Sequence, residues 1–323
     1  MLLYYIAVYG MNEVSADGKI IASGIGYAQF LAFSAAYSSF NGTLNSLIPL
    51  VGQFFTIQPH IENLKPLLEE EPEVTDEKVD AEILSGALEV SHLTFAYAEN
   101  KPNVLNNISF KVSAGENLAI VGKSGCGKST LVRLLLGFEK PKSGAIFFDG
   151  QNLAEMNLAS VRSQMGVVLQ NGQLMTGDIF TNIVGTKNLM QEDAWRAAEE
   201  ASIADDIRAM PMEMQTVISE GSSNISGGQR QRILIARALA AKPAILIFDE
   251  ATSALDNRAQ AVVTESIKKL NVTRIVIAHR LSTIRDCDKI IVMDKGKIAE
   301  SGTFGELVER GGLFAKLVKR QVT

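Results

Sequence analysis

The sequence predicts an α/β domain built on a parallel sheet, preceded by a transmembrane α-helical segment. Three observations predict it. A glycine-rich turn, "GKSGCGKST" at residues 122–130, stands between an apolar strand and an apolar helix. A second apolar strand, "AILIFDE", ends in two carboxylates. The residues from Ile20 to Ile61 include no Asp, Glu, Lys or Arg. The 323 residues suffice for a large domain and an appendage. Composition marks the junction: from Glu62 to Glu82 there are nine acids against two lysines, and beyond it apolar strands alternate with helical patterns. A net charge of −5 without basic clusters argues against a nucleic-acid partner. Two cysteines, Cys126 and Cys287, are too few for a disulfide framework and are expected as free thiols in a reducing compartment.

The opening "MLLYYIAVYG" is too short to span a bilayer alone, and it lacks the basic start and small-residue cleavage site of a signal peptide. "MNEVSADGK" then reads as a polar connecting loop, so Met1 is expected inside, or just after the start of, a penultimate membrane helix. In the uncharged run that follows, Phe30, Phe33, Tyr37, Phe40, Leu44, Leu47 and Val51 are spaced by threes and fours, which is one heavy stripe of a helix. Ser34, Ser38, Asn41 and Asn45 keep the same spacing on another face, where lipid would penalise them unless they meet protein or water. Two readings stand for this stripe: it lines a transport pathway, or its small polar side chains let neighbouring helices pack closely. One helix and a fragment cannot enclose a pore, so the chain is expected to be part of a transporter. The acidic run is expected to be a solvated linker.

The apolar "NLAIVG" before the glycine-rich turn reads as a buried parallel strand, which makes Gly122, Lys123, Ser124, Gly125, Cys126, Gly127, Lys128, Ser129 and Thr130 a P-loop. Its glycines let backbone N–H groups converge, and the following helix adds its unpaired donors and positive dipole end. Such a nest suits a polyphosphate: Lys128 would lie along the β- and γ-phosphates, and the Ser129 hydroxyl would complete the oxygen shell of Mg²⁺. A Cys126 thiol exposed in the nest would be open to alkylation. In "AILIFDEATSALD", Asp249 at the strand tip would reach the metal and Glu250 would polarise the attacking water. "NISGGQRQRILIARALAAK" places Ser226, Gly227, Gly228 and Gln229 at the start of an amphipathic helix, a second anion-binding terminus in the same chain.

These motifs in this order resemble the nucleotide-binding domain of ABC transporters over residues 87–323, with Ser226–Gln229 as the signature. The resemblance implies a RecA-like core with an antiparallel β subdomain and a helical subdomain. It implies that Tyr97 in "FAYAEN" stacks on adenine and that Gln170 senses metal and water. It also makes Ser253 to Asp256 the D-loop and His279 the switch histidine at the γ-phosphate. It further implies a second ABC subunit, identical or paralogous, packed head to tail so that Lys128 of one copy and Ser226 of the other grip the same ATP. The expected divisions are 1–22 for the remnant of the penultimate helix and its loop, 23–68 for the last membrane helix with a cytosolic extension, 69–86 for the acidic linker, and 87–323 for the ATPase.

This order of membrane helix, linker and ATPase resembles exporters. It implies a bacterial plasma membrane with the nucleotide-binding domain on the cytoplasmic side. "QFLAFSAAYSSF", "VVLQNGQLM" and "TVISEG" look like bacterial bacteriocin or peptide exporters of the nitrile-hydratase-leader kind, which implies a peptide substrate. Three departures stand out: Ile225 replaces the usual Leu, and Ser219 and Ser222 stand where exporters usually have Gly. His60 and His92 match no motif and are expected to be structural, and Trp195 is expected to pack a helix of the helical subdomain. The alternatives are an ATPase fragment or regulatory subunit that turns over ATP without transport, and a soluble ABC-type ATPase acting on DNA. The latter calls for basic patches and a coiled-coil insertion that the sequence lacks.

Overall fold

The chain divides into two units, Met1–Pro72 and Glu73–Thr323. A computed structural model describes residues 13–14, 16–17, 20–21, 27–69, 78–170, 172–219, 224–249, 257–270, 272–278 and 280–322.

In the first unit Glu13–Val14 pairs antiparallel with Ile20–Ile21, within the expected connecting loop. Most of the uncharged run lies in α1, Tyr27–Glu69, a helix of 43 residues that continues past Ile61 through Glu62 and Lys65. Pro49, Pro59 and Pro66 lie inside it, and each removes an N–H from the helical ladder. Hydroxyls fold back onto the helix: Thr43 Oγ1 donates to Ser39 O at 2.9 Å and Thr56 Oγ1 to Gln53 O at 2.7 Å. At 1.5 Å per residue α1 runs about 65 Å. Its Gln, Asn, Ser and Thr residues dilute its hydropathy, and no helix among the described residues is long and apolar enough to cross a membrane.

In the second unit the strands are β1 (Leu88–Phe95), β2 (Leu105–Val112), β3 (Asn117–Gly122), β4 (Ser143–Phe148), β5 (Gln151–Asn152), β6 (Met165–Val168), β7 (Gly177–Asp178), β8 (Val217–Ile218), β9 (Ile245–Asp249), β10 (Thr273–Ile277), β11 (Lys289–Asp294) and β12 (Lys297–Gly302). The helices that matter below are α2 (Lys128–Leu135), α3 (Leu158–Ser163), α4 (Ile179–Val184), α5 (Gln191–Glu200), α6 (Ala204–Arg208), α7 (Gly227–Ala240), α8 (Asn257–Lys268), α9 (Leu281–Arg285), α10 (Phe304–Glu309) and α11 (Leu313–Val322). A six-stranded sheet has the order β12-β11-β3-β10-β9-β6 and is parallel except at β12. A second sheet, β2-β1-β4-β5, is antiparallel.

The continuous apolar runs of β3 and β9 follow from burial on both faces. Side chains alternate across the strand, so Ile245 and Ile247 face a first core while Leu246 and Phe248 face a second. The first core joins the inner face of the antiparallel sheet to α2 through residues such as Leu93, Phe148, Leu131 and Leu135. The second belongs to α4, α5, α6 and α7, and the half-buried Trp195 packs against it with the Arg208 guanidinium 5.0 Å above its ring. Ala119 and Val121 of β3 face a third core, shared with Ile284, Leu307 and Phe314. His60 is exposed on α1, and the His92 ring bonds Asn107 at 2.8 Å.

Residues 70–77 of the acidic run lie outside the described residues, but its end is tied to the domain. Val79 N donates to Glu155 O at 3.3 Å, Ala81 N to Ser160 Oγ at 2.7 Å and Leu84 N to Gln164 Oε1 at 2.8 Å. Asp149 closes the segment by accepting from Ser85 N and Ser85 Oγ, both at 2.6 Å, and from Ala87 N at 2.8 Å. The expected free linker is therefore, over its last residues, a strap held down by backbone hydrogen bonds.

Burial raises the Asp149 pKa, yet the bonds from Ser85, Ala87 and Gly86 outweigh it and hold the carboxyl below the ordinary 3.8. A depressed folded pKa means stability that is present above the unfolded pKa and lost as pH falls through the folded one. Asp149 has φ 49°, a conformation that Asn tolerates, so Asp149→Asn isolates the charge. That variant is expected to lose about 1 kcal/mol at neutral pH after allowance for solvent screening. In urea melts the gap from wild type should close as the pH drops through the acid range below 3.8. A gap independent of pH would clear the carboxylate of this role.

Candidate functional site

The parallel strands end along one edge. Asp249 is level with Ile277 of β10, and Ile277 with Ile120 of β3, so the loop at residues 122–130 and Asp249 leave the same side of the sheet. Val168 pairs with Phe248, which brings Gln170, two residues beyond β6, to that edge. Crevices at the carboxyl ends of parallel strands are where α/β sheets take ligands.

The glycine-rich loop is shaped by close approaches. A Cβ on Gly122 would sit 2.3 Å from Met293 O, and one on Gly127, at φ 105°, would sit 2.6 Å from a methyl of Leu105. On Gly125 it would meet nothing within 4 Å, so Gly125 is on the open face. Lys123, Ser124 and Ser129 are exposed there, and Gly127 is the N-cap residue of α2. Lys128 is only 7 % exposed. Its ammonium crosses the loop, donating to Gly122 O at 2.9 Å and to Lys123 O at 3.1 Å, with Cys126 Sγ 3.9 Å away. The cation is thereby held at the mouth of a helix whose N-terminal dipole end is already positive, a field suited to polyanions.

Cys126 is in the loop, but its thiol is 5 % exposed and belongs to the first core. The open, alkylatable thiol considered from the sequence is therefore replaced by an apolar plug under the loop: Gly122 lacks a Cβ, and the sulfur takes that space. Burial pushes the other thiol, Cys287, up to about 11, which makes it a poor nucleophile.

Tyr97 follows β1 and is half exposed. Its ring meets Phe95 edge to face with centroids 4.9 Å apart, and its hydroxyl lies 3.1 Å from Thr130 Oγ1 on α2. An exposed aromatic face is thus locked beside the start of the loop helix.

The second helix start expected to bind an anion is built on another core. Ile225, 5 % exposed, anchors the segment in the second core, and Ser226 caps α7. Ser226 Oγ accepts from Gln229 N at 3.2 Å while Gln229 Oε1 accepts from Ser226 N at 3.1 Å, a reciprocal capping box. Ser226 and Gly227 are exposed, and a Cβ on Gly227 would meet nothing within 4 Å.

Mg²⁺ suits the donor set. Ser129 and Gln170 are exposed oxygen donors, and Asp249 supplies one carboxylate, 7 % exposed, at the end of β9. Among the described residues no group of His, Cys, Asp and Glu could hold an ion by itself. Glu250, Asp256 and His279 lie outside the described residues, as do Ser222 and Ser253.

Two polar groupings carry no motif and were missed in the sequence. Asn182 of α4 is fully buried, and its amide bonds Met175 N at 2.8 Å, Met175 O at 2.9 Å and Asp178 O at 2.9 Å. Arg237 of α7 reaches Asn182 Oδ1 at 2.7 Å and Asn182 O at 2.6 Å, which ties α7 to the loop after Gln170. A clue was there: Arg237 stands among apolar helix residues, and a cation in such a run needs acceptors. The other grouping joins Asp206 to Gln229 and Arg232.

Comparisons with known proteins agree with this geometry. The ABC transporter family model matches residues 105–253. The chain is 36% identical to the uncharacterized ABC transporter ATP-binding protein YwjA of Bacillus subtilis, over 94% of this chain and 53% of that protein. It is equally 36% identical to an ATP-dependent lipid A-core flippase of Francisella tularensis, over 98% of this chain and 51% of the flippase. A solved bacterial Atm1-family ABC exporter with ATP bound superposes with a TM-score of 0.79 at 33% identity, covering 98% of this chain and 55% of that one. The chain spans about half the length of these relatives. It carries an ATP-binding domain of the ABC transporter family, and the relatives that align along it include a lipid A-core flippase and an Atm1-family exporter.

Proposed function

We propose that the chain is the ATP-hydrolysing subunit of a membrane exporter, in which ATP closes two nucleotide-binding domains head to tail and hydrolysis releases them. One observation supports this above the others. The two helix starts that would bind anions, at Lys128 and Ser226, stand on separate hydrophobic cores of the same chain. A nucleotide in one copy's loop leaves that copy's Ser226 for the neighbour's phosphates, and two-fold symmetry doubles the arrangement.

In this reading the Tyr97 face carries the adenine, and Lys128 with the loop amides carries the β- and γ-phosphates. Ser226 and Gly227 of the second copy donate to the γ-phosphate, with Gly228 and Gln229 shaping that helix start and Asp256 bordering the same seam. Glu250 accepts the proton of the attacking water, Gln170 orients that water, and His279 bonds the γ-phosphate. Bound with the nucleotide, Mg²⁺ would be held by Ser129, Asp249 and Gln170 and would neutralise charge on the phosphate oxygens. Losing the γ-phosphate removes the contact that favours closure, and this is the step that couples to the membrane part.

The placement of α1 as the last membrane helix belongs to the same reading. The polar stripe Ser34, Ser38, Asn41 and Asn45, which lowers its hydropathy, would be covered by neighbouring helices of a longer assembly. The nucleotide-binding domain then faces the cytoplasm of a bacterial cell. A peptide cargo rests on the sequence phrases alone, whereas the names of relatives include a lipid A-core flippase. ATP-dependent uptake of each into inverted vesicles separates the two.

The test of the shared site is complementation between copies. Chains carrying Lys128→Ala and chains carrying Ser226→Arg are each expected to be inactive alone. Mixed, half the dimers hold one site whose loop and signature are both intact, so about a quarter of wild-type ATPase activity should return. No recovery, or activity retained by dilute monomers, would overturn the head-to-tail arrangement.

A further inference from the structure

We propose that Asp206 is a positioning residue for Ser226: its carboxylate fixes which end of the Gln229 amide faces the signature serine. This inference rests on the reading above, in which Ser226 meets the nucleotide of the opposite copy.

A glutamine amide has one accepting and two-proton donating ends of nearly equal size. The capping box needs the accepting end toward Ser226 N, where Gln229 Oε1 lies at 3.1 Å. Turned over, the amide would set a donor against a donor, and Ser226 would lose its tether. Asp206 removes that choice. Its Oδ1 is 2.9 Å from Gln229 Nε2, and an ionised carboxylate only accepts, so the NH₂ must face it.

The carboxylate is itself held at its other oxygen. Asp206 Oδ2 receives Arg232 NH1 at 2.9 Å, and the same NH1 reaches Ser202 O at 2.5 Å. Gln229 and Arg232 are three apart on α7 and so share a face, which one carboxylate spans. Asp206 is presented by α6, whose Ala204 and Ile207 are buried in the second core. The chain of contacts thus runs from a helix anchored in the second core through one carboxylate and one amide to the serine. With Ser226 Oγ accepting from Gln229 N, its O–H proton is left to donate to an anion in front of the helix.

A plain ion pair with Arg232 at this exposure would contribute little and would not act through Gln229. The two roles separate on substitution. Asp206→Leu removes both acceptors, whereas Arg232→Leu removes the ion pair and leaves the carboxylate for Gln229 Nε2. The experiment follows dimerisation of the full chain driven by the β,γ-imido analogue of ATP, by sedimentation, beside binding of a fluorescent ATP to dilute protein.

Asp206→Leu and Gln229→Ala should each weaken dimerisation about tenfold, as expected for a lost hydrogen bond to a charged group. Asp206→Leu should leave fluorescent ATP binding at the Lys128 loop within about twofold of wild type. Arg232→Leu should weaken dimerisation much less than Asp206→Leu does, and the Asp206→Leu/Gln229→Ala double variant should be no worse than Gln229→Ala alone. If Arg232→Leu weakens dimerisation as much as Asp206→Leu does, or the double variant loses the product of both effects, Asp206 is a structural ion-pair partner and the inference falls. If Ser226→Ala abolishes dimerisation while Asp206→Leu does not, the inference fails and the shared site stands. If neither variant matters, the shared site fails and takes the inference with it.

Discussion

Lys128→Met is expected to weaken ATP binding about a hundredfold while leaving the domain folded. The ammonium is 7 % exposed and held across the loop by Gly122 O and Lys123 O. Charged hydrogen bonds contribute about 1.5–3 kcal/mol each, and about 3 kcal/mol corresponds to a hundredfold in affinity. Methionine keeps the apolar stem that packs in the loop but offers no donor. The helix itself is anchored by Leu131, Leu134 and Leu135, none of which touches the phosphate face, so the melting temperature should change by a few degrees at most. Titration with a fluorescent ATP measures the first effect and a thermal melt the second. Wild-type affinity in this variant would show that the nucleotide is held elsewhere.

Glu250→Gln is expected to retain ATP and lose turnover by about 10²–10⁴-fold, the range that a general base supplies. Asp249 ends β9 level with the end of β10, one strand away from the loop strand β3, and Glu250 follows it in the sequence. Glutamine preserves size and hydrogen bonding but cannot take a proton from water. The closed dimer should therefore accumulate in ATP, visible as a doubled mass by light scattering. Unchanged turnover would assign the base to another residue.

The parallel sheet, the glycine-rich loop and the capped signature helix were all legible in the sequence, because each depends on neighbours within a few residues. Strand, turn and helix at residues 117–135 are contiguous, and Ser226 finds its capping partner three residues on. The hidden parts depend on distant partners. Asp206 lies 23 residues from Gln229, and Asn182 lies 55 from Arg237. Such pairs have no periodicity to reveal them, since only packing of α4, α6 and α7 around one core brings them together. The strap after the acidic run escaped for the same reason: its partners, Ser160 and Gln164, lie 79 and 80 residues away.

By itself the sequence determined which local elements the chain carries and where: a glycine-rich loop with Lys128, a carboxylate-tipped strand and a second helix start at Ser226. Tertiary structure alone decided which way side chains turn. It buried the Cys126 thiol beneath the loop while Gly125 faced outward, put the two helix starts on separate cores, and gave Gln229 a carboxylate that orders its amide. The physical reason is common to all three. Backbone motifs are set by local dihedral and hydrogen-bond demands, whereas the direction of a buried polar or apolar group is set by whichever distant surface packs against it.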